Sequence, residues 1–374
     1  MKKLLTTLLL VAGLAACHGN EKQLAPRLQS YVDDNVMAGA VVLVADKENI
    51  LLLETVGYAD LAEKKPMRED TFFWIASMTK PMTGAAVMML VDEGKLSLDD
   101  PLEKFIPEFA DIKVKEPDGT LRPPSRPPTL RDVLTHTAGM NFTNSREGNR
   151  LDIVPLATTA AHSALDPLRS DPGVKYSYSN MGIDTAGRVV EIVSGMNFET
   201  FLQTRLFDPL GMADTTFFPT PAQFSRLAKS HKPNAGRDGI VETPIHFLKQ
   251  PLDAEPRYPN PGGGLFSTAR DVAVFNQMLL NKGVHNGRQI LSPEAVRTMT
   301  TKQTPPEVKD YYGIGFSASG RGEYFGHDGA YGTSMNTTHG IIAVFLVQND
   351  GKWIRGNPRA DFDTFIRENF LNNK

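Results

Sequence analysis

Trp74-Ile75-Ala76-Ser77-Met78-Thr79-Lys80 is the stretch on which the reading of this chain turns. Ser77 is the one serine with a lysine three residues on. If the following residues are helical, positions i and i+3 share a face, and Lys80 lies beside the Ser77 hydroxyl. The run Ala85-Ala86-Val87-Met88-Met89-Leu90-Val91, stopped by Gly94, predicts that helix. A free hydroxyl is a poor nucleophile, and a neighbouring amine without its proton activates it. Burial at the foot of the helix favours the neutral amine, because desolvation disfavours the ammonium form. Ser-x-x-Lys by itself is a common pattern, so the rest of the chain has to decide its meaning.

The 374 residues are 41% hydrophobic and 22% charged, an ordinary balance for a globular protein with a sizeable core. A formal net charge of −3 points away from a nucleic-acid partner. Lys2-Lys3 lead into an apolar run from Leu4 to Ala16, too short for an ordinary membrane span and shaped like an export signal. The run ends Leu14-Ala15-Ala16-Cys17, and Cys17 is the only cysteine, so no disulfide forms within one chain. This resembles a bacterial lipoprotein signal. On that reading, residues 1–17 are the signal with Cys17 lipidated, 18–24 a tether, and 25–374 one domain. His18 after the cysteine directs such a lipoprotein to the outer membrane, facing the periplasm. The rival is an ordinary secretory signal cut after a small residue.

Outward from Ser77, periodicity predicts a helix over Gln23–Asn35, then a hairpin of Ala40–Ala45 and Ile50–Val56 turning at Asp46-Lys47-Glu48-Asn49. A further helix is expected from Ser97 to Phe109, with Asp99-Asp100-Pro101 in its first turn. Thr129 reads as an N-cap with Asp132 three residues on. The helix it opens runs to Thr135-His136-Thr137-Ala138-Gly139, where His136 is either a base or a neutral imidazole hydrogen-bonded near a helix end. Residues 140 to 170 carry no clear period and read as loop with short helices. Helices follow at Ile183–Ser194 and Val272–Leu280. Gly262-Gly263-Gly264 lacks the lysine a phosphate loop needs, and reads as close backbone packing. The C-terminal hundred residues predict strands at Tyr312–Phe316, Glu323–Gly326, Thr333–Thr338 and Gly340–Asn349, closed by a helix Phe362–Phe370. Strands at both ends with helices between imply an α+β fold: one antiparallel sheet from the two termini with flanking helices, plus a helical lobe. The Ser77 helix then lies at the seam, where small-molecule sites tend to form.

Ser77-Met78-Thr79-Lys80, Tyr178-Ser179-Asn180 and His327-Asp328-Gly329 stand in the order of the three motifs of the serine β-lactamase and penicillin-binding-protein superfamily. Leu134-Thr135-His136-Thr137-Ala138-Gly139, Pro209-Leu210-Gly211-Met212 and Gly263-Gly264-Leu265-Phe266-Ser267 match as well. The chain resembles class C β-lactamases, D-stereospecific peptidases and β-lactamase-like carboxylesterases over about residues 25 to 370. The resemblance implies an acyl-enzyme on Ser77, with Lys80 holding the proton network and Tyr178 as general base. Tyr176 is the rival base, set aside because the family's tyrosine stands two residues before the asparagine. Asn180 would bond Lys80 or the substrate, and the backbone N–H groups of Ser77 and Ala330 would form the oxyanion hole. His327, Asp328, Gly329 and Ala330 would border the substrate. No cofactor or metal is implied, and the chain has no His-Glu-x-x-His or cysteine pair to hold one.

β-Lactamases usually carry Lys-Thr-Gly where this chain has His327-Asp328-Gly329. The substitution resembles the D-peptidases and some esterases, so the expected substrate is a small ester, amide or peptide. A class C-like β-lactamase and a non-catalytic penicillin-binding-like envelope protein are the alternatives. Asp328 is expected to repel substrates with a free carboxylate, unless the pleat of its strand turns it away toward an arginine or a backbone donor.

Overall fold

A computed structural model describes residues 24–148 and 150–372; the signal with Cys17 and nearly all of the tether lie outside the described residues. Leu24, placed at the end of that tether, is fully buried as the first residue of the helix Leu24–Asp33. Next comes the predicted hairpin, β1 (Gly39–Ala45) and β2 (Ile50–Asp60). Its turn is made by Asp46, whose carboxylate accepts the backbone N–H groups of Glu48 and Asn49 at 2.8 and 2.7 Å. The remaining strands of the main sheet are β3 (Lys65–Pro66), β4 (Ser317–Ala318), β5 (Tyr324–Asp328), β6 (Ser334–Thr338) and β7 (Ile341–Leu346). The sheet order is β4-β5-β6-β7-β1-β2-β3, with every neighbouring pair antiparallel. The two termini therefore meet at β1 and β7, Val41 opposite Leu346 and Ala45 opposite Ile342.

β1 is buried along its whole length, and the period of two sorts its side chains between two cores. Val41, Leu43 and Ala45 join Ile342, Val344 and Leu346 under the helical lobe. Ala40, Val42 and Val44 join Ile341, Ala343 and Phe345 on the other face, covered by Leu24 and Leu28 and by Phe362 and Phe365 of the closing helix Pro358–Ile366. On the lobe side, the helix Thr79–Asp92 is buried from Thr79 to Leu90 and packs against the helices Asn180–Ser194 and Pro293–Thr300. Burial on all sides accounts for its nearly uniform apolar sequence. The mixed α and β architecture with one main antiparallel sheet, beside small two-stranded ones, is the expected one.

Two expected elements differ, while 140–170 is loop with a short helix, as read. Ser97–Phe109 is not a helix but two 3₁₀ turns, Leu102–Lys104 and Pro107–Asp111. Pro107 has no N–H to give, and its ring would clash with the carbonyl one turn back. Tyr312–Phe316 makes only a single bridge, Tyr312 to Ser317; Ile314 instead donates its N–H to Met299 O, and Gly315 turns the chain at φ +79°. Within 140–170 there is a ten-residue helix, Leu156–Leu165. Among the described residues, no helix is long and apolar enough to cross a membrane.

Candidate active site

Ser77 occupies a 3₁₀ turn, Ala76–Met78, that runs directly into the helix Thr79–Asp92. Ala76 adopts φ +49°, a left-handed backbone that costs a non-glycine residue roughly 1–2 kcal/mol. The turn is held from several sides. Ile75 N donates to Leu265 O, Thr79 Oγ1 donates to Ala76 O at 2.6 Å, and Leu265 N donates to Thr79 Oγ1 at 3.1 Å. Just upstream, Trp74 Nε1 donates to Gly263 O at 2.8 Å. The glycine triplet thus packs its backbone against the Ser77 turn, as its composition implies.

Lys80 leaves the first turn of the helix on the same face as Ser77 and is completely buried. Its Nζ lies 3.1 Å from Ser77 Oγ and donates to Asn180 Oδ1 at 2.7 Å and Gly262 O at 2.5 Å. Asn180 opens the helix Asn180–Ser194, whose N-cap Ser179 accepts from Gly182 N–H and donates to Asn141 O. One turn along that helix lies Asp184, a buried carboxylate that accepts Gly262 N–H at 2.8 Å. The motif pattern does not include Asp184; its only signal is a charged residue on the buried face of an amphipathic helix. Burial pushes the Lys80 amine down to about 7, with the Asp184 charge working against that shift. Burial pushes the Asp184 carboxyl up to about 7, with Gly262 N–H and Lys80 pulling it back. Burial therefore favours the neutral amine of Lys80 and the neutral carboxyl of Asp184, each opposed by the other's charge.

Tyr178 stands over this network, Lys80 Nζ lying 4.7 Å from its ring centroid. His136 holds the tyrosine's loop from both sides. Its carbonyl accepts Ser177 N–H at 2.7 Å, and its ring Nδ1 accepts Ser179 N–H at 3.2 Å. An accepting Nδ1 makes the ring the neutral Nε2–H tautomer. Burial first, and then the charge of Lys80, hold its pKa well below the ordinary value. Of the two readings of His136, the geometry matches the neutral imidazole at a helix end. The rings of Tyr176, Tyr178 and Tyr312 pack around it with centroids 5.7, 4.4 and 4.7 Å away. Burial raises the Tyr178 phenol above its ordinary value, and hydrogen bonding with Ser77 only partly offsets this. The resting group is the phenol, not the phenolate that a general base requires.

His327 lies on the inward face of β5. Its Nδ1 donates to Asp328 O at 2.6 Å, so Nε2 accepts from Tyr312 OH at 2.9 Å. Burial pushes its pKa down to about 3, so it is a neutral spacer beside Tyr178, ring centroids 6.1 Å apart. Gly329 follows, where a Cβ would fall 2.4 Å from Ile75 O. That approach brings the turn Ala330–Gly332 against the Ala76–Met78 turn. Asp328 is the residue not gathered in. The pleat turns it to the opposite face, where its carboxylate pairs with Arg359 at 3.2 Å and is 74% exposed. The expected carboxylate-repelling position is thus occupied by an exposed, paired charge.

A model described as Beta-lactamase matches residues 24–363. The uncharacterised protein MT1414 of Mycobacterium tuberculosis is 32% identical over 361 residues, covering 86% of this chain and 88% of its own length. A putative D-alanyl-D-alanine carboxypeptidase of Salmonella agona is 26% identical over 93% of this chain and 88% of its own. Among solved structures, EstCE1, a hydrolase with promiscuous acyltransferase activity, superposes with TM-score 0.77 at 24% identity, covering 92% of this chain and 99% of that one; at this identity the likeness is one of fold.

Proposed function

The chain belongs to the beta-lactamase family, within the superfamily of serine hydrolases that includes esterases and peptidases, and on that premise we propose that it cleaves esters or amides through an acyl-enzyme on Ser77. The observation that carries the reading is the 3.1 Å contact between Ser77 Oγ and the amine of a fully buried lysine. Neutral Lys80 takes the hydroxyl proton as Oγ bonds to the substrate's carbonyl carbon, and the carbonyl electron pair moves onto oxygen. The backbone N–H groups of Ser77 and Ala330 receive that oxyanion. Collapse expels the alcohol or amine, which takes a proton from the Tyr178 phenol; the Lys80 ammonium restores it. Water then attacks the acyl carbon by the same route, releasing the acid and returning the proton to Ser77. This exchanges the expected roles: the amine is the base and the tyrosine the relay, because burial favours the neutral form of both.

The favoured substrates are neutral carbonyl compounds, as for a carboxylesterase or a D-peptidase. His327 is buried and neutral where a β-lactamase-type third motif has lysine, leaving no cation there for a β-lactam carboxylate. To test this, the protein is treated with a fluorophosphonate, the adduct is mapped by mass spectrometry, and turnover is measured on esters, D-peptides and nitrocefin. Label on Ser77 with ester or D-peptide turnover is expected; label on another serine, or nitrocefin as the best substrate, overturns the reading. The Leu-Ala-Ala-Cys sequence supports an enzyme exported and anchored through lipid on Cys17, at the outer membrane facing the periplasm. Radiolabelled palmitate should mark the wild type and not Cys17→Ser.

A further inference from the structure

Asn180 and Asp184 are four residues apart on one helix, so their side chains leave the same face. Both reach Lys80 through very short paths. Asn180 accepts from Nζ directly, while Asp184 holds the N–H of the glycine whose carbonyl also accepts from Nζ. The fit between them is tight: a Cβ on Gly262 would fall 3.1 Å from Asp184 Oδ1 and 3.2 Å from Asn180 Oδ1, so both side chains would have to give way. Asp184 also lines a narrow cavity of about 20 Å³ whose wall includes Glu147 and Asn260 and reaches the exposed Gly148 and Arg150. That is room for about one water. Asn260 is 3% exposed, and its Oδ1 is buried without a hydrogen-bond partner among the described residues. Such an acceptor calls for a donor from the cavity. Glu147 is itself fixed there, accepting from Thr159 Oγ1 at 2.9 Å and contacting His162 Nδ1 at 2.8 Å.

We propose that Asp184 is a positioning residue for the acylation of Ser77: its carboxylate, acted on by Glu147 across a water-sized cavity, sets whether Lys80 is amine or ammonium. The proposal rests on the reading of Ser77 as nucleophile and Lys80 as its base. The groups around the pair are few. Lys80 faces Asp184, the neutral rings of His136 and His327, and the Tyr178 phenol. Asp184 faces Lys80 and Glu147 as charges and Gly262 N–H and Asn260 as hydrogen-bond partners. His162 contacts Glu147, and Arg150 lines the same cavity as Glu147 and Asp184. An ionised Asp184 favours the ammonium, and Glu147 opposes that ionisation, so the two carboxylates act on Lys80 with opposite sign.

The experiment reads the rate of Ser77 labelling by a neutral fluorophosphonate from pH 4.5 to 9 in the wild type, Asp184→Asn and Glu147→Gln. Asp184→Asn keeps the acceptor for Gly262 N–H and removes the charge, so the midpoint of the acidic limb should fall by about one pH unit. Glu147→Gln should raise it, because Asp184 then ionises more readily. A purely structural role lowers rates or melting temperature and leaves both midpoints where the wild type has them; coincident midpoints overturn the proposal. If Asp184→Asn does not fold, the Glu147→Gln midpoint alone decides, and an unshifted one overturns it. A wild type labelled elsewhere than Ser77 instead overturns the reading of the nucleophile.

Discussion

His136, Tyr178 and Lys80 show how single residues divide the work at this site. His136 spends its backbone carbonyl and Nδ1 on the amides either side of Tyr178, so it fixes where the phenol stands. His136→Ala leaves Ser179 N–H without its acceptor and removes a ring from the aromatic packing. A lost buried hydrogen bond costs about 1–3 kcal/mol, so turnover should fall roughly ten- to hundredfold, with partial rescue by His136→Asn; steady-state kinetics beside thermal melts checks this. Ser77→Ala should abolish acylation and lower turnover by several orders of magnitude, since no other group forms the intermediate. Lys80→Ala and Tyr178→Phe should each disable acylation, and the double variant should be little worse than either, because one proton path runs through both. Single-turnover rates for the set check it, and additive losses would mean the two act independently. Asp328→Thr should leave the ratio of rates on a neutral ester and its carboxylate-bearing analogue unchanged, because the side chain it replaces is paired with Arg359 on the far face of β5.

The elements that position these residues differ in how openly they are written. The helix Thr79–Asp92 and the hairpin β1–β2 announce themselves through long apolar runs and a turn-forming aspartate. The helix Leu156–Leu165 carries a helical period in its buried positions Leu156, Thr159, Ala160, Ser163 and Ala164, but small and hydroxylated side chains make that stripe faint in sequence. They suit close packing against the helix Asn180–Ser194. Gly262 is an element-scale constraint of another kind: Gly262→Ala pushes a methyl between the Asp184 and Asn180 oxygens. It should impair acylation while leaving the sheet intact, measurable as lost labelling with near-native circular dichroism. In the sheet, Phe345 is fully buried against Phe362 with ring centroids 5.8 Å apart. Phe345→Ala should cost about 3–5 kcal/mol in urea unfolding, because the closing helix cannot fill the space left behind.

At the scale of the molecule, the buried titratable groups make stability depend on pH with a definite sign. Lys80 is lowered from 10.5 to about 7 and His327 from 6.5 to about 3, so the unfolded chain binds more protons than the folded one in each window. Stability from these groups is therefore lost as pH falls from about 10 to 7 and again below about 6.5, and His136 acts in the same direction as His327. Asp184, raised from 3.8 to about 7, works the other way and gains as pH falls below 7. One proton's difference is worth about 1.4 kcal/mol per pH unit; Asp271, raised to about 6, works with Asp184, and His231, lowered by burial, works with the other histidines, so a lysine and three histidines outweigh two aspartates. Urea midpoints should be lower at pH 5 than at pH 8.5, and His327→Gln should flatten the dependence. The sequence by itself determined the sheet built from both termini and the buried helix behind Ser77, and it picked out Ser77, Lys80, Tyr178 and Asn180 as a set that the fold brings together, because periodicity, residue type and motif order are read along the chain. Only the tertiary structure decided that Asp328 faces Arg359, that His136 and His327 are neutral spacers and that Asp184 stands behind Lys80. Those outcomes depend on which face a pleat presents and how far water is excluded, and both are fixed by contacts between separate segments, from 15 residues apart for His327 and Tyr312 to 182 for Lys80 and Gly262.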